Sequence, residues 1–365
     1  MQSSLLRNMI AALRQRKRHL DTFVQREAHF VVIICALCAV SAILYPYPEI
    51  AMWLGFAIAG YSAIANDSIQ TLGTFLSSSA KIRWWVLWLF IGGILVATHV
   101  SGWYMDNGDI AFERLSKIPQ PETFSFLTLS APIMLLILTR LKMPVSTTFL
   151  LLSVFSNAVI IQKMLIKTFC GYIVAFLAAL IVWGAITSFF KKKSATSKYN
   201  KKLWHTLQIC STSFLWWTWI MHDTANVAVF LPRVLIFNQM VGAVGYLFLV
   251  IGLLMYLKGG RIQSIVTEKT DIVDVRAATT IDFIYALVLL VFKSWSQIPM
   301  STTWVFLGLL AGREIALMRS TQKKEPTLFR SPSFFVRLFS LNGSDKEPYI
   351  TTLRLVFKDI FRASM

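Results

Sequence analysis

Charge is what this chain has least of. Only 15% of its 365 residues are Asp, Glu, Lys or Arg, against roughly 25% in soluble domains, and 56% are hydrophobic. That balance excludes an ordinary water-soluble globule. Acidic residues are the scarcer sign, 18 against 36 basic ones. Cysteine is scarce as well. Cys35, Cys38, Cys170 and Cys210 all fall in apolar stretches. The C-x-x-C formed by Cys35 and Cys38 therefore reads as small apolar filler, not as a redox or metal site. What the chain has in quantity is uninterrupted hydrophobic sequence. Residues 28–48, 84–105, 143–162, 168–190, 203–221 and 234–257 carry no charge. Each is long enough, or nearly so, to cross a hydrocarbon core of about 30 Å as a helix.

The net charge of +18 concentrates in residues 1–29, 191–202, 258–276 and 319–365. A basic protein raises nucleic acid as a partner. Basic loops beside apolar runs have a simpler cause, because Lys and Arg are retained on the cytoplasmic side of membranes. The partners expected are membrane lipids, with no nucleic acid. Residues 1–29 do not read as a secretory signal. Leu5, Leu6, Met9, Ile10 and Leu13 share one helical face ahead of Arg14, Arg16, Lys17 and Arg18, which suits a helix lying on the inner membrane surface. In 319–365, Ile350, Leu353, Val356, Ile360 and Phe361 make a similar face beside Arg354, Lys358 and Arg362. The expected organisation is a basic amphipathic segment 1–29, a transmembrane unit 30–190, a basic linker 191–202, a second transmembrane unit 203–318 and a basic tail 319–365. Both termini are expected in the cytoplasm of a multi-pass protein of the cell membrane, plasma or inner. Stretches 124–162 and 277–318 each fit either two crossings or one hairpin that dips in and returns. The run between Asp282 and Lys293 holds only ten uncharged residues, which is short for a crossing.

Two copies of one polar pattern interrupt this apolar background. The first reads IANDSIQTLGT around Asp67, followed by MPVSTT at Pro144. The second reads MHDTANVAVF around Asp223, followed by IPMSTT at Pro299. Asp67 and Ser146 are 79 positions apart, and Asp223 and Ser301 are 78 apart. The intervening segments cross an odd number of times under either count, so the two units are expected to be inverted relative to each other. Inverted repeats with broken helices meeting at the midplane are a recurrent transporter design.

A carboxylate inside a membrane run is costly and marks a cavity, an ion or a partner. Asn66 precedes Asp67 and Gln70 follows one turn later; His222 precedes Asp223 and Asn226 follows one turn later. Carboxylate and amide oxygens are hard ligands, so Asp67, Asp223, Asn66, Gln70 and Asn226 are the candidate Na⁺ ligands. Buried helix–helix hydrogen bonding is the plainer role for such groups. Ser146, Thr147 and Thr148, and likewise Ser301, Thr302 and Thr303, stand just after prolines that suit a helix's first turn. Free N–H groups and hydroxyls there make an anion cradle. The plainer role is a pair of N-caps.

Together these motifs resemble those of the inorganic phosphate transporter (PiT) family, whose hallmark is a doubled GAND-type motif with a PVSTT-type motif downstream. The resemblance covers about residues 50–318. Repeat one keeps Asn66, Asp67, Gly73, Thr74, Pro144, Ser146, Thr147 and Thr148; repeat two keeps Asp223, Ala225, Asn226, Pro299, Ser301, Thr302 and Thr303. It implies an all-α membrane protein in which the Ser/Thr clusters, Asn66 and Asn226 bind phosphate. The Asn/Asp motifs would hold the coupling cation. It also implies symport driven by Na⁺ or H⁺ and no enzymatic step. Gln70, His222, Phe149, Trp304 and Val229 depart from the pattern. His222 titrates near neutral pH in its unperturbed form and is the proton-coupling candidate. Sulfate or a metal–phosphate remains an alternative cargo, and a non-transporting oxyanion sensor or scaffold an alternative role. Homo-oligomerisation is left open. Arg140, Lys142, Arg233 and Lys293 flank the motifs as membrane anchors or as deep anion contacts. Arg313 and Glu314 are expected to pair locally, and His99 and His205 have no expected role.

Overall fold

Helix ends are written into the polar residues that punctuate the apolar runs. The computed structural model describes residues 28–79, 82–141, 145–193, 200–257 and 275–322. Among the described residues the protein is all-helical, with no strand. In chain order the helices are α1 (Ala28–Leu44), α2 (Pro48–Ser78), α3 (Trp84–Met105), α4 (Phe126–Arg140), α5 (Thr147–Leu152), α6 (Ala158–Lys193), α7 (Lys201–Ala228), α8 (Phe237–Tyr256), α9 (Val275–Trp295) and α10 (Thr302–Gln322). Pro48 opens α2, where its missing N–H costs nothing. Ser125 and Thr128 form a reciprocal capping box on α4. Asn200 Oδ1 accepts the N–H of Leu203 at the start of α7 (3.3 Å).

Five helices are long and apolar enough to cross a membrane, through Pro48–Asp67, Trp84–Met105, Ala158–Ala185, Phe237–Tyr256 and Ala278–Trp295. The 28 residues of α7 would span about 42 Å. They are polar enough to fall outside that group, because α7 carries Gln208, Thr212, Thr218, His222, Asp223 and Asn226, all buried. A polar helix of that length belongs at the centre of a membrane bundle, where its side chains meet protein.

Two expectations from the sequence change here. The charge-free run 143–162 is not one helix. Ser146 Oγ accepts the N–H of Phe149 (3.3 Å) and Asn157 Oδ1 accepts that of Ile160 (2.9 Å), so cap residues inside the run start two helices. Residues 283–292, short for a crossing, lie within the unbroken 21-residue α9. Asp282 is buried inside that helix and accepts a hydrogen bond from Thr212 Oγ1 (2.7 Å). The amphipathic segment 1–29 falls almost wholly outside the described residues, and the tail 319–365 largely so. Helix α6 runs through Lys193 and α7 begins at Lys201, so both reach into 191–202, of which 194–199 lie outside the described residues.

Matched contacts give the helix directions. Gly55 meets Leu129 and Asn66 meets Thr139, so α4 runs parallel to α2. Thr212 meets Asp282 and His222 meets Leu289, so α9 runs parallel to α7. Across the centre, α2 and α7 are antiparallel: Gly55 lies by Phe230 and Gly60 by Val227, and Asp67 lies in the field of Asp223. Helix α10 runs parallel to α6, with Val305 against Gly171 and Gly312 against Phe176. Aromatic donors tie helix to helix: Trp88 to Phe248 O (2.9 Å), Trp216 to Ile91 O (3.0 Å) and Tyr246 to Ala57 O (2.6 Å).

The α6–α10 seam depends on the small residues Gly308 and Gly312, a G-x-x-x-G spacing that lets membrane helices approach closely. A Cβ at Gly308 would sit 2.5 Å from Tyr172 O, and one at Gly312 nearer still to Phe176 O. Backbone, unlike a flexible side chain, cannot step aside. Gly312→Ala is therefore expected to destabilise the protein by about 1–3 kcal/mol through overpacking, seen as a lower thermal midpoint in detergent. Gly93→Ala is the control. An added Cβ at Gly93 meets nothing within 4 Å, and its midpoint should not fall.

Candidate functional site

The two motif copies converge. Helices α2 and α7 place their carboxylates towards each other, and the segments preceding α5 and α10 bring the hydroxyl clusters between them. Asp67, Asp223, Asn66, Asn226 and His222, with all six Ser/Thr residues of the two clusters, are buried. Thr147 is the joint. Its hydroxyl donates to Asp67 Oδ2 (2.7 Å) and accepts from Asn226 Nδ2 (3.2 Å). Asn226 Nδ2 also donates to Asp223 Oδ1 (2.6 Å). One chain of hydrogen bonds thus links the acid of the first copy to the acid of the second. Asn66 Nδ2 closes the other flank, donating to Asp67 Oδ1 (2.9 Å) and Val145 O (2.9 Å). Thr302 lies against Asp223, and its carbonyl accepts from Tyr285 OH (2.8 Å).

The two tips also hold each other directly. Thr148 Oγ1 donates to Met300 O (3.2 Å) and Thr303 Oγ1 to Val145 O (3.3 Å). Ser146 and Ser301 serve as N-caps, accepting from Phe149 N–H (3.3 Å) and Trp304 N–H (3.4 Å). Ser301 N–H donates to Thr168 Oγ1 of α6 (3.0 Å). Trp304 packs edge-to-face on Tyr172 at 6.2 Å.

Two acceptor atoms here have no donor. Asp223 Oδ2 and Asn226 Oδ1 are buried without a hydrogen-bond partner. An unmet buried polar atom costs about 1–3 kcal/mol, more when charged. Neighbouring unmet oxygens beside a second carboxylate are what a hard cation would satisfy. Asn66 Oδ1 instead accepts from Thr139 (3.4 Å). The side chain of Gln70 and all of Pro144 and Lys142 lie outside what the structure describes.

His222 donates from Nε2 to Leu289 O (2.7 Å), since a carbonyl can only accept. Its Nδ1 is buried without a partner, so any proton it takes up would sit there. His99, with no role expected, belongs to the motif's surroundings. Its Nδ1–H donates to Leu95 O (2.8 Å), and its Nε2 meets Thr224 Oγ1 of the second motif (3.0 Å). His205 is not among the residues of the site. Of the flanking cations, Arg140 lies over the Phe30 ring at 5.1 Å and Lys293 over Phe112 at 5.6 Å. Arg233 donates to the carbonyls of Val229, Leu231, Ile118 and Pro119 at the end of α7. Arg313 and Glu314 pair at 2.7 Å.

A cation from the loop before α4 also reaches this region. Arg114 is 1% exposed, a fully buried guanidinium. Its only signal in the sequence was a basic residue in an acidic loop. Compared with protein families, curated proteins and solved structures, the chain matches none.

Proposed function

We propose that the protein is a membrane transporter of an inorganic oxyanion, phosphate by its motifs' resemblance to the inorganic phosphate transporter family, coupled to Na⁺ or H⁺. The observation that carries this reading is the hydrogen-bonded run Asp67–Thr147–Asn226–Asp223, assembled from both motif copies and leaving unmet acceptors on Asn226 and Asp223. Asp67, Asp223 and Asn226 would hold the coupling cation. The hydroxyls of Ser146, Thr147, Thr148, Ser301, Thr302 and Thr303 would replace the anion's water. At an effective dielectric near 20, opposite charges about 4 Å apart attract by roughly 4 kcal/mol, so a bound cation makes the anion's site.

In this reading residues 30–190 and 203–318 are inverted copies, and the site is exposed alternately as one rocks against the other. The antiparallel pairing of α2 with α7 supports this, as does the end-to-end contact of the two tips. The basic clusters favour both termini on the cytoplasmic side of a cell membrane. A second reading, an oxyanion sensor that does not transport, is favoured by one observation. The hydroxyls of Thr147, Thr148 and Thr303 are already engaged with protein acceptors.

³²P-phosphate uptake into proteoliposomes under imposed sodium or proton gradients tests the proposal. Uptake driven by one gradient and resistant to excess sulfate is expected. Competition by sulfate would change the cargo. Binding without uptake in either gradient would favour the sensor.

A further inference from the structure

The loop between α3 and α4 is bent to bury a charge. Asp109 accepts the N–H groups of Ala111 (2.6 Å) and Glu113 (2.8 Å), and burial raises its carboxyl above the usual range. Phe112 and Glu113 follow at φ 56° and 60°, left-handed geometry that non-glycine residues adopt only when the surroundings hold them there. The next residue is Arg114. Burial lowers its guanidinium to about 10, so it stays charged at neutral pH. Its one hydrogen bond runs from Nη2 to Ile298 O (3.3 Å). Nε and Nη1 are buried with no partner. Among the described residues it forms no ion pair, although Asp223 lies within its field.

Lys167 converges on the same place. This buried side chain of α6 donates to Ser296 O (2.6 Å) and Ile298 O (2.8 Å). Two basic side chains therefore meet the segment that leads through Pro299 into the Ser301 tip, and each lies in the other's field. Like charges out of water repel, and a charged group with unmet donors is among the costliest things to bury. Asp223 and Asp67 stand beyond, with Asp223's own unmet oxygen. With a cation on the acids, Arg114 would face further positive charge while its Nε and Nη1 stay unmet, a deficit that an anion would make good.

We infer that Arg114, backed by Lys167, is an anion contact of this site that selects doubly charged tetrahedral oxyanions over monovalent ones. The inference rests on the oxyanion reading above and adds the residue that reads the anion's charge. Arginine suits the task because its planar, permanently charged donors match oxyanion geometry. The two unmet nitrogens are the donors left for the ligand.

The test is equilibrium binding to the purified full-length protein in detergent. It uses ³²P-phosphate at pH 8, where the dianion dominates, with sodium nitrate as monovalent competitor at matched ionic strength. Wild-type protein should bind phosphate with little competition from nitrate. Arg114→Gln should weaken phosphate binding at least tenfold and let nitrate compete. Arg114→Lys, which keeps the charge and loses the planar donors, should fall between them and carries the test if the glutamine variant does not fold. Lys167→Met should weaken binding by a smaller factor. Both Arg114 variants binding within twofold of wild type, while Asp223→Asn loses binding, would overturn the role of Arg114 and leave the oxyanion reading intact. A wild-type protein that binds no phosphate at all would overturn both.

Discussion

Asp223→Asn and Asp67→Asn are each expected to reduce gradient-driven phosphate uptake to the level of empty liposomes. The size of the expected effect follows from charge. Losing one carboxylate's attraction for a cation about 4 Å away removes roughly 4 kcal/mol at an effective dielectric near 20, close to 1000-fold in binding at about 1.4 kcal/mol per factor of ten. The fold should not suffer in parallel. The Asp223→Asn side chain would keep an oxygen for the Asn226 amide, and the unpartnered Asp223 Oδ2 has no hydrogen bond to lose. Losing one member of a like-charged buried pair also relieves repulsion. The thermal midpoint of Asp223→Asn without ligand should therefore hold while uptake vanishes; Asp67, whose two oxygens accept from Asn66 and Thr147, has a hydrogen bond to lose, so its variant is read by uptake alone. Asp282 supplies the contrast. It is a third buried acid, already receiving the Thr212 hydroxyl, and Asp282→Asn should retain uptake within about tenfold, since asparagine keeps an oxygen to accept that hydroxyl. Wild-type uptake by either Asp223→Asn or Asp67→Asn would remove the cation site from these acids.

The second large effect belongs to Thr147. One hydroxyl serves both halves, donating to Asp67 and accepting from Asn226. Valine has nearly the same shape and no hydroxyl, so Thr147→Val deletes the joint while filling the space. A hydrogen bond to a charged group is worth about 1.5–3 kcal/mol, which sets an expected loss of about 10- to 100-fold in uptake at subsaturating phosphate and cation. Thr147→Ser keeps the hydroxyl and should stay within a few-fold of wild type. Equal activity in the valine and serine variants would mean that the contact only packs the tips together.

The site was partly visible in the sequence because polar groups inside apolar runs have few reasons to be there. Asp67 and Asp223 stand out on cost alone, and the repeated spacing to Ser146 and Ser301 says that they share a plan. What joins them was not visible. The bridge through Thr147 to Asn226 spans 79 positions, and no local pattern shows which member of a Ser-Thr-Thr cluster faces across. His99 gave no signal because its partner Thr224 lies 125 positions away. Arg114 was hidden by its neighbours. In a loop holding Asp106, Asp109 and Glu113 it reads as one cation balancing acids in water, and only the left-handed turn before it puts it under the protein. For the fold, treating absence of charge as the mark of a helix failed where uncharged residues do the breaking. Ser146 and Asn157 end one helix's reach and start another's. Asp282 failed the same rule in the opposite direction, because a partnered acid sits inside a helix without interrupting it.

The glycine seam bears on which parts are free to shift. Where Gly308 and Gly312 set backbone on backbone, no side chain is available to re-form a contact after a slide. Helices α6 and α10 are therefore locked backbone to backbone across the two units, with Ser301 N–H held by Thr168 Oγ1, so any rocking in the proposed transport cycle would have to leave this seam intact. In the transporter reading proposed above, the six residues of α5 would be the part free to withdraw, releasing Val145 from Thr303 and Thr148 from Met300, so the gate would be asymmetric even though the motifs come in matched pairs.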